Sequence, residues 1–223
     1  MLNYPFLEKF GSLTQPWIKI CGVTQHKDAD YAAELGVDAL GFVFYSNSPR
    51  AVSLKVLPKI IENLKRSVSA VALFVNPTKD EVTRVLDSGL IDLIQFHGNE
   101  SEEFCNSFKT PYIKALHVKN QLLPLSILDK YASARYLLLD TFSEKASGGT
   151  GKTFDWSIAR DAIKKTNREI IIAGGLNSTN VEHVLEAVTP FGVDVSSGVE
   201  SSLGKKDMTK LNRFVREVRS VRS

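Results

Sequence analysis

Cysteine is scarce in this 223-residue chain: Cys21 and Cys105 stand far apart, in no Cys-x-x-Cys or Cys/His spacing. That excludes a disulfide scaffold, predicts no metal, and suits a reducing cytoplasm. No apolar run approaches the roughly 20 residues that a membrane helix needs, so no membrane association is expected. Residues 1–16 lack the basic start and continuous apolar stretch of a signal peptide and read as an N-terminal leader. Charge of one sign is lacking too, since 28 basic and 25 acidic side chains are interspersed to a net +3. Without a basic stripe interleaved with aromatics, nucleic acid is not an expected partner. The mild basic excess of Arg213, Arg216, Arg219 and Arg222 reads as a solvated helix face. Also missing is a Gly-x-Gly-x-x-Gly turn after the first apolar run, which argues against an open dinucleotide-binding sheet.

What is present is alternation. Short apolar runs predict strands over Trp17–Cys21, Ala39–Phe44, Ala70–Val75, Leu90–Phe96, Tyr112–Ala115, Arg135–Asp140, Glu169–Ala173 and Gly192–Ser196. Amphipathic stretches between them predict helices over Lys27–Leu35, Leu54–Lys65, Lys79–Ser88, Glu100–Lys109, Leu122–Tyr131, Trp156–Lys165, Thr179–Ala187 and Met208–Val218. Thr78-Lys-Asp-Glu81 and Asn99-Glu-Ser-Glu102 have capping-box spacing. Pro124 predicts a fifth helix that is short or replaced by a loop unless the proline stands in its first turn. Eight β-α units with no linker between them predict an α/β fold, a single-domain (β/α)8 TIM barrel over 17–223, near the lower length limit for that fold.

In such a barrel, chemistry belongs at the carboxyl ends of the strands. Strand one ends in Lys19-Ile-Cys21-Gly-Val-Thr, and alternation turns Lys19 and Cys21 to one face. An adjacent ammonium would lower the thiol pKa toward the range of a general base; the competing reading is a small buried cysteine beside a snorkelling lysine. After strand two, Arg50 is suited to bidentate capture of a carboxylate or phosphate, or is a solvated loop residue. Strand four ends in Gln95-Phe-His97, where His97 would orient substrate or shuttle protons, or merely bond a neighbouring loop. His26, His117 and His183 fall in loop or helix contexts and read as structural or exposed.

Strand six is apolar until Asp140, a candidate general acid whose pKa an apolar site would raise. The run Gly148-Gly-Thr-Gly-Lys152 resembles part of a phosphate loop, but Ala146 stands where the full spacing needs glycine, so it reads as a lid-like loop over Asp140. Ala173-Gly174-Gly175 after strand seven and Asp194-Val-Ser196-Ser197-Gly198 after strand eight bring backbone amides together where barrels commonly hold phosphate.

Seven motifs in order, Lys19-Ile-Cys-Gly-Val-Thr, Gly41-Phe-Val-Phe, Ser48-Pro-Arg, Gln95-Phe-His-Gly-Asn-Glu, Gly148-Gly-Thr-Gly-Lys-Thr-Phe-Asp-Trp, Ala173-Gly-Gly-Leu-Asn and Gly192-Val-Asp-Val-Ser-Ser-Gly-Val-Glu, resemble the phosphoribosylanthranilate isomerase family. The resemblance implies a phosphosugar substrate, N-(5-phosphoribosyl)anthranilate, an Amadori rearrangement in tryptophan biosynthesis, no cofactor, and a monomer or homodimer. It makes Cys21 the general base, Asp140 the general acid and Arg50 the ligand of the anthranilate carboxylate. Gly174, Gly175, Ser196, Ser197 and Gly198 become phosphate ligands, with Lys19, His97 and Asp194 as further substrate contacts. The chain departs from the family pattern in its leader, at Tyr45 and Ala51, and at Leu203, where a proline is common. Two alternatives are a related phosphate-binding barrel such as indole-glycerol-phosphate synthase, which uses lysine and glutamate catalysts, and a phosphosugar-binding barrel without turnover.

Overall fold

The computed structural model describes residues 15–118, 122–140 and 156–221; the expected leader up to residue 14 and the expected lid, with its glycine run, lie outside them. Eight parallel strands close on themselves in sequence order: β1 (Trp17–Cys21), β2 (Ala39–Val43), β3 (Ser69–Phe74), β4 (Leu93–Phe96), β5 (Tyr112–His117), β6 (Tyr136–Asp140), β7 (Ile170–Ala173) and β8 (Gly192–Val195). Around them run α1 (His26–Glu34), α2 (Leu57–Ile61), α3 (Lys79–Leu86), α4 (Glu102–Asn106), α5 (Leu125–Asp129), α6 (Trp156–Lys165), α7 (Val181–Val188) and α8 (Met208–Ser220). The expected TIM barrel is therefore the fold.

Alternation along the strands divides the core. Outward residues such as Ile18, Ile20, Leu40 and Phe42 pack under the helices. Inward residues such as Trp17, Val71, Ile113, Tyr136 and Leu138 fill the barrel, with Cys21, Val43 and Leu73 forming its uppermost layer. At the lower end Trp17, Tyr136 and Phe191 stack with centroids 5.0–6.2 Å apart, a plug that directs any ligand to the opposite end.

The fifth helix is short, as expected, and two other expectations about the helices need correction. Pro124 is the N-cap of a five-residue α5, so the helix survives because the ring precedes it. Ser101, not Asn99, caps α4 by accepting from Phe104 N, because the Glu100 carboxylate turns inward to the buried Lys114 ammonium, 2.9 Å away. The Thr78–Glu81 box forms as expected. Arg219 is no solvated face residue: it donates to the carbonyls of Pro16 and Gly36 and to Asp38, clasping α8 to the barrel bottom. One small element went unforeseen, an antiparallel hairpin of β9 (Glu200–Ser202) and β10 (Lys205–Lys206) between β8 and α8.

Candidate active site

The carboxyl ends of the strands surround a cavity of about 500 Å³, and every candidate residue lines it except Lys19. Lys19 lies fully buried beneath it, its ammonium 3.0 Å from Asp194 Oδ1. Parallel register places these two residues side by side on β1 and β8, so the pair spans the seam where the barrel closes. Lys19 is thus a correction to its expected role as a direct substrate contact. Gly41 on β2 makes room for it: a Cβ there would stand 3.0 Å from both Cys21 Sγ and Lys19 Nζ.

The thiol is not acidified as expected. Burial pushes the Cys21 thiol above its ordinary range, and the ammonium groups of Lys19 and Lys206 oppose that without overcoming it, because the Asp194 carboxylate adds to the upward push. Lys19, for its part, keeps its proton: burial works against the charge, yet Asp194 and Cys21 together raise its pKa. A buried Lys–Asp pair spends the ammonium on its own carboxylate, leaving less of it for the thiol.

At the other side of the cavity Asp140 ends β6. Its Oδ2 lies 3.0 Å from His97 Nε2 and 3.8 Å from His117 Nδ1, so the carboxyl has polar neighbours where an apolar surround was expected. His97 Nδ1 in turn meets the buried Gln95 amide at 3.0 Å. Beneath this loop Lys114 Nζ donates to Gly98 O and Glu100 Oε2, while Glu100 accepts from the amides of Asn76 and Gly98. This buried cluster fixes the backbone that carries His97. His117 was expected in a loop or helix; it is the last residue of β5 and the register partner of Asp140.

Arg50 departs from the open carboxylate receptor expected of it. Its Nε and Nη2 fork onto Glu200 at 2.7 and 2.6 Å, and Glu200 also accepts from the buried Lys206 ammonium at 3.0 Å. Burial alone would push the Glu200 carboxyl up, but the bonds from Arg50 and Lys206 hold it below the ordinary carboxylate range. Lys206 reaches further, donating to the carbonyls of Cys21 and Ser196, and so ties the thiol's strand end to the loop after β8.

The loops after β7 and β8 meet closely. Gly174 and Gly175 take φ of +92° and +66°, where side chains are strained. Gly198, in a 3-10 turn over Ser197–Val199, leaves so little space that a Cβ would stand 1.8 Å from the Leu176 carbonyl oxygen. Only glycine lets the two backbones approach this way.

The sequence profile described as N-(5'phosphoribosyl)anthranilate (PRA) isomerase matches residues 18–217. This chain belongs to that family. Among the family's curated members, the N-(5'-phosphoribosyl)anthranilate isomerase of Legionella pneumophila (strain Lens) is 43% identical over 201 residues, covering 90% of this chain and 96% of that protein. The one from Stutzerimonas stutzeri (strain A1501) is 46% identical over 203 residues, covering 91% and 97%. The crystal structure of phosphoribosyl anthranilate isomerase from Thermotoga maritima superposes with a TM-score of 0.83 at 36% identity, over 92% of this chain and all of that one. A phosphoribosyl anthranilate isomerase in complex with reduced 1-(o-carboxyphenylamino)-1-deoxyribulose 5-phosphate gives a TM-score of 0.80 at 34% identity, over the same shares. The barrel and the family thus agree along nearly the whole described chain. Among the described residues no helix is long and apolar enough to cross a membrane.

Proposed function

We propose that this chain isomerises N-(5-phosphoribosyl)anthranilate to 1-(2-carboxyphenylamino)-1-deoxyribulose 5-phosphate, with Asp140 as general acid and Cys21 as general base. The observation that carries this reading is the placing of a carboxyl and a thiol from non-adjacent strands, β6 and β1, on one cavity that also takes in the glycine loops after β7 and β8. The phosphate docks at Gly174, Gly175 and the Ser196–Gly198 turn, which holds the sugar between acid and base. Protonated Asp140 gives its proton to the furanose oxygen, the C–O bond breaks, and a Schiff base forms at the anomeric carbon. The carboxylate left behind is stabilised by a hydrogen bond from His97 Nε2–H.

The Cys21 thiolate then takes the proton from the adjacent carbon, giving an enolamine that tautomerises to the ketone. Burial keeps the resting thiol protonated, so the thiolate is scarce near neutral pH but a strong base once formed. Lys19 and Lys206 supply its countercharge. Arg50 has N–H groups beyond the two that Glu200 takes, and these meet the anthranilate carboxylate; Glu200 presets the guanidinium plane for it. A thiol base must stay reduced, and both cysteines are free, which supports a cytoplasmic setting.

The test is the fall in anthranilate-type fluorescence when purified protein meets freshly generated substrate. Cys21→Ala and Asp140→Asn should each lose about two to four orders of magnitude in turnover while keeping the fold. A variant that keeps near-normal rates loses its assigned role. Folded wild-type protein that binds product without turning substrate over would instead be a phosphosugar-binding barrel.

A further inference from the structure

We propose that His97, His117 and Asp140 form a binding site for a divalent transition metal of the zinc type, and that occupying it switches the isomerase off. The three side chains come from the ends of consecutive strands, and their donor atoms lie within 4.8 Å of one another. Asp140 Oδ2 is 3.0 Å from His97 Nε2 and 3.8 Å from His117 Nδ1. Ligands held tetrahedrally at about 2.0–2.1 Å from zinc stand about 3.4 Å apart, so the observed separations bracket those of a loaded site. Two imidazoles and one carboxylate with an open fourth position suit zinc or cobalt, whereas magnesium and calcium prefer all-oxygen shells.

Hydrogen bonding sets the tautomer of His117 that a metal needs and leaves the corresponding form open to His97. His117 Nε2 lies 3.1 Å from the His97 carbonyl oxygen, which only accepts, so that nitrogen carries the proton. The lone pair of neutral His117 is then on Nδ1, facing the Asp140 carboxylate across 3.8 Å. A cation between the two would take one ligand from each. His97 is prepared by Gln95, a fully buried amide whose Oε1 has no hydrogen-bond partner among the described residues. Turning that amide over sets Oε1 against His97 Nδ1, draws the proton there and leaves the Nε2 lone pair toward Asp140. Such an acceptor behind a histidine is the usual support of a metal ligand. The His117 side chain is 54% exposed, so an ion arrives directly from solvent. The cysteine spacing in the sequence bears only on ligands close along the chain, and these converge through the fold.

The inhibitory half rests on the reading of Asp140 as general acid, because a carboxylate bound to metal has no proton to give. The experiment uses tag-free, chelator-stripped, full-length protein titrated with Co2+ alone, read by the visible absorption of nitrogen-bound cobalt, and then with Zn2+ in the turnover assay. The expected result is one equivalent of Co2+ displaced by Zn2+, with affinity at least tenfold weaker in His117→Ala and in His117→Gln. Turnover should fall at least tenfold with Zn2+ and return with chelator, and His117→Ala should need at least tenfold more Zn2+ for the same fractional loss. Binding that is absent, or unchanged in both variants, overturns the site. His117-dependent binding with unchanged turnover overturns the switch, while metal-free Asp140→Asn separately reports whether Asp140 is the acid.

Discussion

Glu200→Gln isolates the buried charge cluster that underlies the site, because the substitution keeps size and shape while deleting one negative charge. The Glu200 carboxylate serves two cations, and they are not equally protected: the Lys206 side chain is fully buried, whereas that of Arg50 is 19% exposed. Losing one partner of a buried pair costs about 3–5 kcal/mol, chiefly through the charge left behind. The lower end applies here, about 3 kcal/mol, since water screens Arg50 and Lys206 keeps the carbonyls of Cys21 and Ser196 as acceptors. For a chain of this length each kcal/mol moves the melting point by about 2–4 °C, so Glu200→Gln should melt about 6–12 °C below wild type. Thermal melts at neutral pH measure this, and Lys206→Met with the double variant completes a cycle. Removing both charges should restore part of the loss, because no ammonium is then stranded. The wild-type pair also has a sign in pH. The folded carboxyl titrates below its unfolded counterpart, so its contribution is present at neutral pH and fades as pH falls through the folded pKa. The gap between wild type and Glu200→Gln should therefore narrow in acid. A variant that melts within about 1–2 °C of wild type, or strictly additive losses in the cycle, would refute the cluster's role.

Since Cys21 ionises above the ordinary thiol range, kcat/KM should climb with pH on the alkaline side, and the climb should vanish in Cys21→Ser. Lys19→Met should move that limb further into alkali and lower stability by about 3 kcal/mol by stranding the Asp194 carboxylate, readable from pH-rate profiles and melts. Stability has the opposite slope: the folded Cys21 thiol holds its proton where the unfolded one has lost it, so between about pH 8 and 10 wild type should lose more stability than Cys21→Ser. Part of the decline should remain in that variant, because burial also pushes the Cys105 thiol up, to about 12. Gly198→Ala should cost about 1–3 kcal/mol and raise KM more than it lowers kcat, because the new methyl displaces the Leu176 backbone and not the acid or base.

Most of the fold was legible because its signal is local. Each apolar run sent alternate residues to two cores, and most strand ends fell within a residue or two of expectation; β4 begins later than read, and β5 continues through Leu116 to His117. That last miss concealed a site neighbour, since a histidine beyond an apolar run looks like loop until the register with Asp140 is known. The proposed catalytic pair was readable as polar groups at strand ends. Its electrostatics were not: Lys19 two residues from Cys21 predicts an acidified thiol, and only the closed barrel reveals that Asp194, 175 positions away, has already claimed the ammonium. Glu200 closed the last family motif yet had no role until Arg50 was seen to fork onto it. Lys206 gave no signal at all, because nothing distinguishes it from the exposed Lys205 until the small hairpin turns it alone inward.

The seam between β1 and β8 sets a timetable for making the protein. Strand one, which carries Cys21 and Lys19, is made well before its neighbour on one side, the partner of its lysine and the Lys206 tether, all of which stand 175 or more positions further along the chain. Until those residues are made, β1 has one free edge and an ammonium without its carboxylate, and the thiol has no enclosing wall. Catalytic competence therefore waits for β8 and the hairpin after it, and a nascent chain halted before β8 carries the Cys21 thiol without the pocket that encloses it.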